Sequence, residues 1–230
     1  MDWTLAIRRN REALSRILAA LFALVGLPEG AAASTSLPRH LHAHARRVLR
    51  AAESAIRRLI LIAAREVVVQ PAGEGLRADL AALCKGVEPA GAQTPIRIPA
   101  FPLLDPLRKY PFEPRRRASK FMPRICVVGF TEPAPLPEKP DLLLDDPVDA
   151  AGLCRRLLSS RRALANLPRE ARRLARWQIG RRLRSGPGRV VPLRMGRPPG
   201  GRKRPIHAVD DVLKECHALA LDVLSPPDSS

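Results

Sequence analysis

The chain has 230 residues and a mass of 25.3 kDa, the length of one domain or of one domain with a long irregular part. Lys and Arg number 40 against 22 Asp and Glu, a formal net charge of +18, while aromatics make up 3% of the residues. With 24 prolines, about twice the average usage of about 5%, the composition excludes a mostly β fold with an aromatic-rich core and points to helices packed through Ala, Leu and Val.

The first element in chain order is a helix from about Trp3 to Val25, because Leu14, Ile17, Leu18, Leu21, Phe22 and Val25 recur at intervals of three and four. Gly26 and Pro28 end it. The apolar run Ile17–Leu27 is shorter than the roughly 20 residues of a membrane span. Basic Arg8, Arg9, Arg11 and Arg16 before it and Ala31-Ala32-Ala33 after it give it the layout of an export signal cleaved near Ala33. Asp2 and Glu12 put negative charge where such signals avoid it, so a structural helix in a cytoplasmic protein is the expectation and export the alternative. After a linker, a second helical pattern runs from about Pro38 to Val68. Leu41, Ala45, Val48, Leu49, Ala52, Ile56, Leu59, Ile60 and Ala63 form its apolar stripe. Arg46, Arg47, Arg50, Glu53, Arg57 and Arg58 are expected on its remaining surface. Two amphipathic helices with a short connection predict an antiparallel hairpin.

From Gln70 to Asp146 prolines interrupt the chain too often for a continuous helix or a central strand. A short helix around Gly75–Leu83 is expected. Two apolar pieces, Ile96–Phe101 and Ile125–Phe130, stand in this polar background, and buried apolar area is what orders such a chain. They are expected to dock, either on this protein's own helices or on a partner. Pro133, Pro135, Pro137 and Pro140 favour a polyproline II spacer, or a ligand for an aromatic groove.

A helix is expected to begin at Asp146-Pro147-Val148-Asp149, with Asp146 as cap and proline in the first turn, and to continue through Leu153, Leu157, Leu158 and Leu164. Pro168 restarts it after Asn166. A Gly/Pro/Arg loop without periodicity then leads to the last helix, where Val209, Val212, Leu213, Cys216, Leu219, Ala220, Val223 and Leu224 keep the helical rhythm until Pro226-Pro227. The expected fold is all-α, a small helical bundle: a hairpin over 1–69, a proline-rich irregular linker over 70–146 and Arg-rich helices over 147–230. A basic loop over 184–205 belongs to the last part, which packs with the hairpin as one domain.

The charge is concentrated. Between Arg155 and Arg204 lie 17 basic residues and one acid, Glu170, so nearly all of the +18 excess sits there. A solvated helix would interleave signs for i,i+4 pairs, and this stretch does not. Arg without interleaved acids repels itself, which points to an anionic partner: nucleic acid first, an acidic protein as the alternative. The candidate nucleic-acid-binding residues are Arg169, Arg172, Arg173, Arg176, Arg181, Arg182, Arg184, Arg194, Arg197, Arg202, Lys203 and Arg204. A third reading is a peripheral membrane protein using Leu5–Val25 as an amphipathic anchor.

Other constellations point to structure rather than chemistry. Cys84, Cys126, Cys154 and Cys216 lack C-x-x-C spacing and are expected to be reduced and structural. His40 and His44 share a helix face while His42 turns away, so no metal site is expected. Cys216 and His217 are neighbours and so lie about 100° apart on a helix, which spoils a nucleophile–base pair. Asp141, Asp145, Asp146 and Asp149 are read as capping and salt-linking groups, and Arg115-Arg116-Arg117-Ala118-Ser119 as a chance kinase-like match. No glycine-rich phosphate loop or Gly-x-Ser-x-Gly is present, so no catalytic residue, cofactor or metal is assigned.

Gly196-Arg197-Pro198, followed by Pro199-Gly200-Gly201-Arg202-Lys203-Arg204, resembles the core of an AT-hook, with Met195 where that motif has its first groove-inserting Arg. The resemblance implies insertion of Arg into a narrow A·T minor groove. Several stretches resemble a group of uncharacterised bacterial hypothetical proteins. They are Met1-Asp2-Trp3 with Asn10-Arg11-Glu12-Ala13-Leu14, Leu37–Leu41, Pro102–Leu107, Leu167-Pro168-Arg169 with Arg173–Trp177, and Gly196–Arg202. That group carries no assigned activity, so no residue role comes from it. The expectation is a non-enzymatic protein that contacts nucleic acid through Arg155–Arg204.

Overall fold

The computed structural model describes residues 2–26, 36–68, 98–107, 143–183 and 191–225. The sequence-predicted helix at Gly75–Leu83, the apolar piece Ile125–Phe130, Arg115–Arg117, the polyproline stretch, Cys84, Cys126 and Ala31–Ala33 lie outside them.

Among the described residues the chain is mostly helical, as expected. Helix α1, Trp3–Val25, starts where the Asp2 carboxylate accepts the Leu5 N–H at 3.0 Å and ends at Gly26, whose φ of 66° belongs to the left-handed region. Strand β1, Ser36–Pro38, leads directly into α2, Arg39–Ala64. No side chain caps α2. Its first N–H groups, those of Arg39 and His40, donate instead to the carbonyls of Asp146 and Leu144, at 2.9 and 3.1 Å.

Those carbonyls lie in the turn just before a segment expected to start a helix. The segment itself is instead strand β2, Pro147–Asp149, antiparallel to β1 with Leu37 opposite Val148. The physical reason is competition for backbone partners: pairing with β1 and supplying carbonyls to α2 satisfies more groups than an isolated first turn would. Helix α3 therefore begins later, at Ala151, with the Asp149 carboxylate accepting its N–H at 2.9 Å, and ends at Ala165. Helix α4, Leu167–Arg182, comes immediately after it with Pro168 in its first turn, the expected restart. Asn166 occupies the cap position, but its amide turns back to the Arg162 carbonyl. Helix α5, Ala208–Leu224, opens with the Asp210 carboxylate accepting the His207 N–H at 3.1 Å, the acidic arm of a capping box.

Helix α2 is the axis of the bundle and packs against α1, α3, α4 and α5. Every residue from Ala51 to Ile62 is buried, so over three turns this helix has no solvent face at all. This corrects the expected surface positions of Glu53, Arg57 and Arg58, which are all buried. Leu14, Leu18, Leu21, Phe22 and Val25 of α1 and Val209, Leu213, Cys216 and Ala220 of α5 close the core around α2. The face of α1 that a lipid surface would need is thus inside the protein, and no helix of the described residues is long and apolar enough to cross a membrane.

The segment 98–107 has no regular structure, yet Phe101, Leu103 and Asp105 are buried. Of the two docking alternatives for Ile96–Phe101, the described part takes the first: it straps across the protein's own helices.

Candidate functional site

The strap is fastened by a charge cluster. Asp105 accepts from Arg57 Nε at 2.8 Å and from Arg58 Nη2 at 3.0 Å, and all three side chains are essentially inaccessible. Arg58 also donates to the Ser54 carbonyl and hydroxyl, at 2.8 and 2.6 Å, and its Nε donates to His217 Nδ1 at 3.1 Å. Burial opposes ionisation of Asp105, but Arg58 and Arg57 outweigh it and hold the carboxyl below its ordinary range. Burial likewise lowers the Arg58 guanidinium from its usual value, with Asp105 pulling it back. Two further pairs link the elements. Arg156 of α3 grips buried Glu53 with two hydrogen bonds, at 2.9 and 2.8 Å, and the bond to Glu53 raises the Arg156 pKa. Arg173 of α4 binds Glu170 at 2.5 Å and the Phe101 carbonyl at 2.6 Å.

The same carboxylate reaches the basic loop. Asp105 Oδ2 lies 3.3 Å from the Arg194 backbone N–H, and the Asp105 N–H donates to the Pro192 carbonyl at 2.9 Å. The Arg194 guanidinium then folds onto the Arg197 carbonyl with contacts of 3.0 and 2.7 Å. Gly196 and Gly200 take φ of 75° and 83°, and the Gly201 N–H closes a turn onto the Pro198 carbonyl. Pro198 and Pro199 are buried. The stretch that resembles an AT-hook core is therefore a folded, anchored loop, from which the Arg197 side chain projects into solvent.

The sequence-predicted binding residues fall into three groups. Arg169, Arg172, Arg176, Arg182, Arg197, Lys203 and Arg204 are exposed, and Arg181 and Arg202 are half-buried. Arg173 and Arg194 hold the fold together through their contacts with Glu170, Phe101 and Arg197. Arg184 lies outside the described residues. At 3.6 residues per turn, Arg169, Arg172 and Arg176 fall within an arc of about 60° and along about 10 Å of α4. Among the described residues none of these three makes an ion pair.

Sequence reasoning missed the Asp105 cluster. Two signals pointed to it: a lone acid inside the apolar Leu103-Leu104-Asp105-Pro106-Leu107, and two arginines flanked by the otherwise apolar runs Ala55-Ile56 and Leu59–Ala64.

Cys216 and His217 do not meet as nucleophile and base. Cys216 is fully buried and its thiol is pushed up to about 12 by desolvation. His217 is lowered by burial and by Arg58, whose N–H its Nδ1 accepts. His40 faces Asp145, and His44 stacks edge-on with His207 at 5.3 Å. Among the described residues no cluster of His, Cys, Asp and Glu could hold a metal ion.

Comparison with protein-family models, with curated proteins and with solved structures finds no match.

Proposed function

We propose that this is a non-enzymatic, cytoplasmic protein that contacts nucleic acid through the arginine face of α4 and the basic loop after it. The observation that carries the reading is the outward stripe of Arg169, Arg172 and Arg176 beside arginines that the fold has already paired inside. Phosphate backbones offer about one negative charge per 1.7 Å of duplex, so three cations spread over about 10 Å can each meet a separate phosphate. Such contacts position a protein and carry little sequence information.

Fluorescence anisotropy of the nuclease-treated protein against A·T-rich duplex, G·C-rich duplex and single-stranded RNA, across a salt series, tests the reading. Arg169→Gln/Arg172→Gln/Arg176→Gln should weaken binding alike on all sequences and flatten the log–log salt slope by about two to three. An unchanged slope in that variant removes α4 from the contact, and weak wild-type binding at physiological salt ends the nucleic-acid reading in favour of an acidic protein partner.

A further inference from the structure

The loop 191–207 does not stand alone on the surface. A methyl group on Gly200 would come within 2.8 Å of the Ala51 backbone nitrogen and 3.0 Å of the Arg50 carbonyl carbon, so the loop backbone lies directly against α2. On the neighbouring Gly201 the same methyl would meet the Arg197 side-chain stem at 3.4 Å. Two adjacent glycines thus bring Arg197 and the backbone of Arg50 to within a few ångströms of one turn. The exposed arginines of this part of α2 are Arg46, Arg47 and Arg50, and the loop supplies Arg197, Arg202, Lys203 and Arg204.

Most of the acids nearby are committed elsewhere. Asp146 and Asp145 face Arg39 and His40 at the start of α2, Glu53 is taken by Arg156, and Asp210 turns back to the N–H groups of Ile206 and His207. Asp211 is exposed in the first turn of α5. Among the described residues, Arg46, Arg47 and Arg50 make no ion pair.

We infer that α2 and the loop form one composite basic surface that binds the phosphate backbone of nucleic acid, with Arg46, Arg47 and Arg50 as contact residues beside Arg197, Arg202, Lys203 and Arg204. The inference rests on the proposed nucleic-acid function and extends it to a helix whose Arg50 lies 105 residues before Arg155, the start of the Arg-rich stretch. Phosphate recognition needs little beyond well-placed cations, whereas a protein interface is built around an apolar centre. The exposed large apolar side chains of the loop are Val191, Met195 and Ile206, which stand before and after its basic run in sequence. Arg favours this use because its planar fork meets phosphate oxygens in pairs.

The test uses the full chain, with labelled duplex DNA and single-stranded RNA as probes and unlabelled poly-glutamate as competitor. Three variants are compared with wild type: Arg46→Gln/Arg47→Gln/Arg50→Gln, Gly200→Ala, and the α4 triple variant. The α2 triple variant changes only exposed side chains and should melt like wild type while losing about tenfold or more in affinity near 0.1 M salt and about two to three in salt slope. Gly200→Ala, strained at its φ of 83° and colliding with Ala51, should lift the loop and weaken binding by a similar factor.

A wild-type slope in the α2 triple variant overturns the inference. So does loss in that variant with none in Gly200→Ala, which would mean that helix and loop act separately. Loss in the α4 variant alone leaves the α4 reading standing and the composite surface refuted; loss in both the α2 variant and Gly200→Ala, with none in the α4 variant, does the reverse. Poly-glutamate of matched charge displacing the probe as well as unlabelled duplex does would give the surface to an acidic protein and overturn the inference.

Discussion

Asp105→Asn keeps the size of the side chain and removes its charge at the point where the strap, α2 and the basic loop meet. Asp105 is the shared acceptor of Arg57 and Arg58 and also faces the Arg194 N–H. Arg58 would retain Ser54 and His217 as partners, whereas among the described residues Arg57 hydrogen-bonds only to Asp105. An Asn amide can accept at one oxygen and must turn its NH2 toward the other guanidinium, so one buried cation loses its acceptor and both lose their counter-charge. Removing one partner of a buried ion pair costs about 3–5 kcal/mol. For a chain of this size that lowers Tm by roughly 6–20 °C, out of a total stability of about 5–15 kcal/mol. Urea unfolding followed by far-ultraviolet circular dichroism reads the loss directly. The sign of the pH dependence is a second check. Because the native carboxyl titrates below its ordinary range, its contribution is present above the unfolded pKa of about 3.9 and disappears as pH falls through the native value. The difference between wild type and Asp105→Asn should therefore shrink below about pH 4. A variant within about 1 kcal/mol of wild type at neutral pH, or a difference that ignores acidification, refutes the assignment of Asp105 as the fastening point.

Three further outcomes are expected. Phe101→Ala empties a buried site in the strap and should cost about 3 kcal/mol or more by urea unfolding; a neutral result would mean that the strap does not stabilise the bundle. Cys216, buried and with its thiol raised to about 12, should resist iodoacetamide at neutral pH and react only on denaturation, as read by peptide mass spectrometry. His217 is held neutral by burial and by Arg58, so its contribution to stability is complete above the unfolded pKa of about 6.5 and falls away as pH drops through the lower native value. His217→Gln should remove that part of the dependence between pH 7 and 5, and an unchanged curve would show that the histidine is not coupled to Arg58.

The helices were legible because their apolar residues recur with helical spacing and their ends carry ordinary signals, as at Gly26 and Pro168. Two features escaped for the same physical reason: each depends on a partner far away in sequence. The turn at Pro147 satisfies every local rule for a helix start, and only the presence of Ser36–Pro38 makes it a strand. Arg57 and Arg58 look like surface residues in any single-helix projection. They are buried because Asp105, 47 residues from Arg58, supplies the charge that makes burial tolerable. The exposed stripe of α4 could be read from the spacing of its arginines. The placement of Arg50 beside the basic loop could not, since it depends on the close approach of Gly200 to Ala51.

The net charge overstates what a ligand would meet, because the fold sorts its arginines into two populations. Arg57, Arg58, Arg156 and Arg173 each find a carboxylate within the fold, the exposed Arg9 and Arg39 pair with Glu215 and Asp146, and Arg65 and Arg161 lie over the rings of Trp3 and Phe22 at 4.9 and 4.7 Å. The remaining outward arginines repel one another, and nothing about their own sequence would keep them close together. What keeps the loop arginines in place is the inner population: Asp105, fixed by Arg57 and Arg58, in turn fixes the Arg194 N–H, and Arg194 closes the loop on Arg197. A basic surface held this way is preorganised, so an anion that binds it need not supply the free energy of gathering like charges. The buried cluster and the outer surface therefore belong to one device, in which paired charge inside the protein holds unpaired charge at its surface.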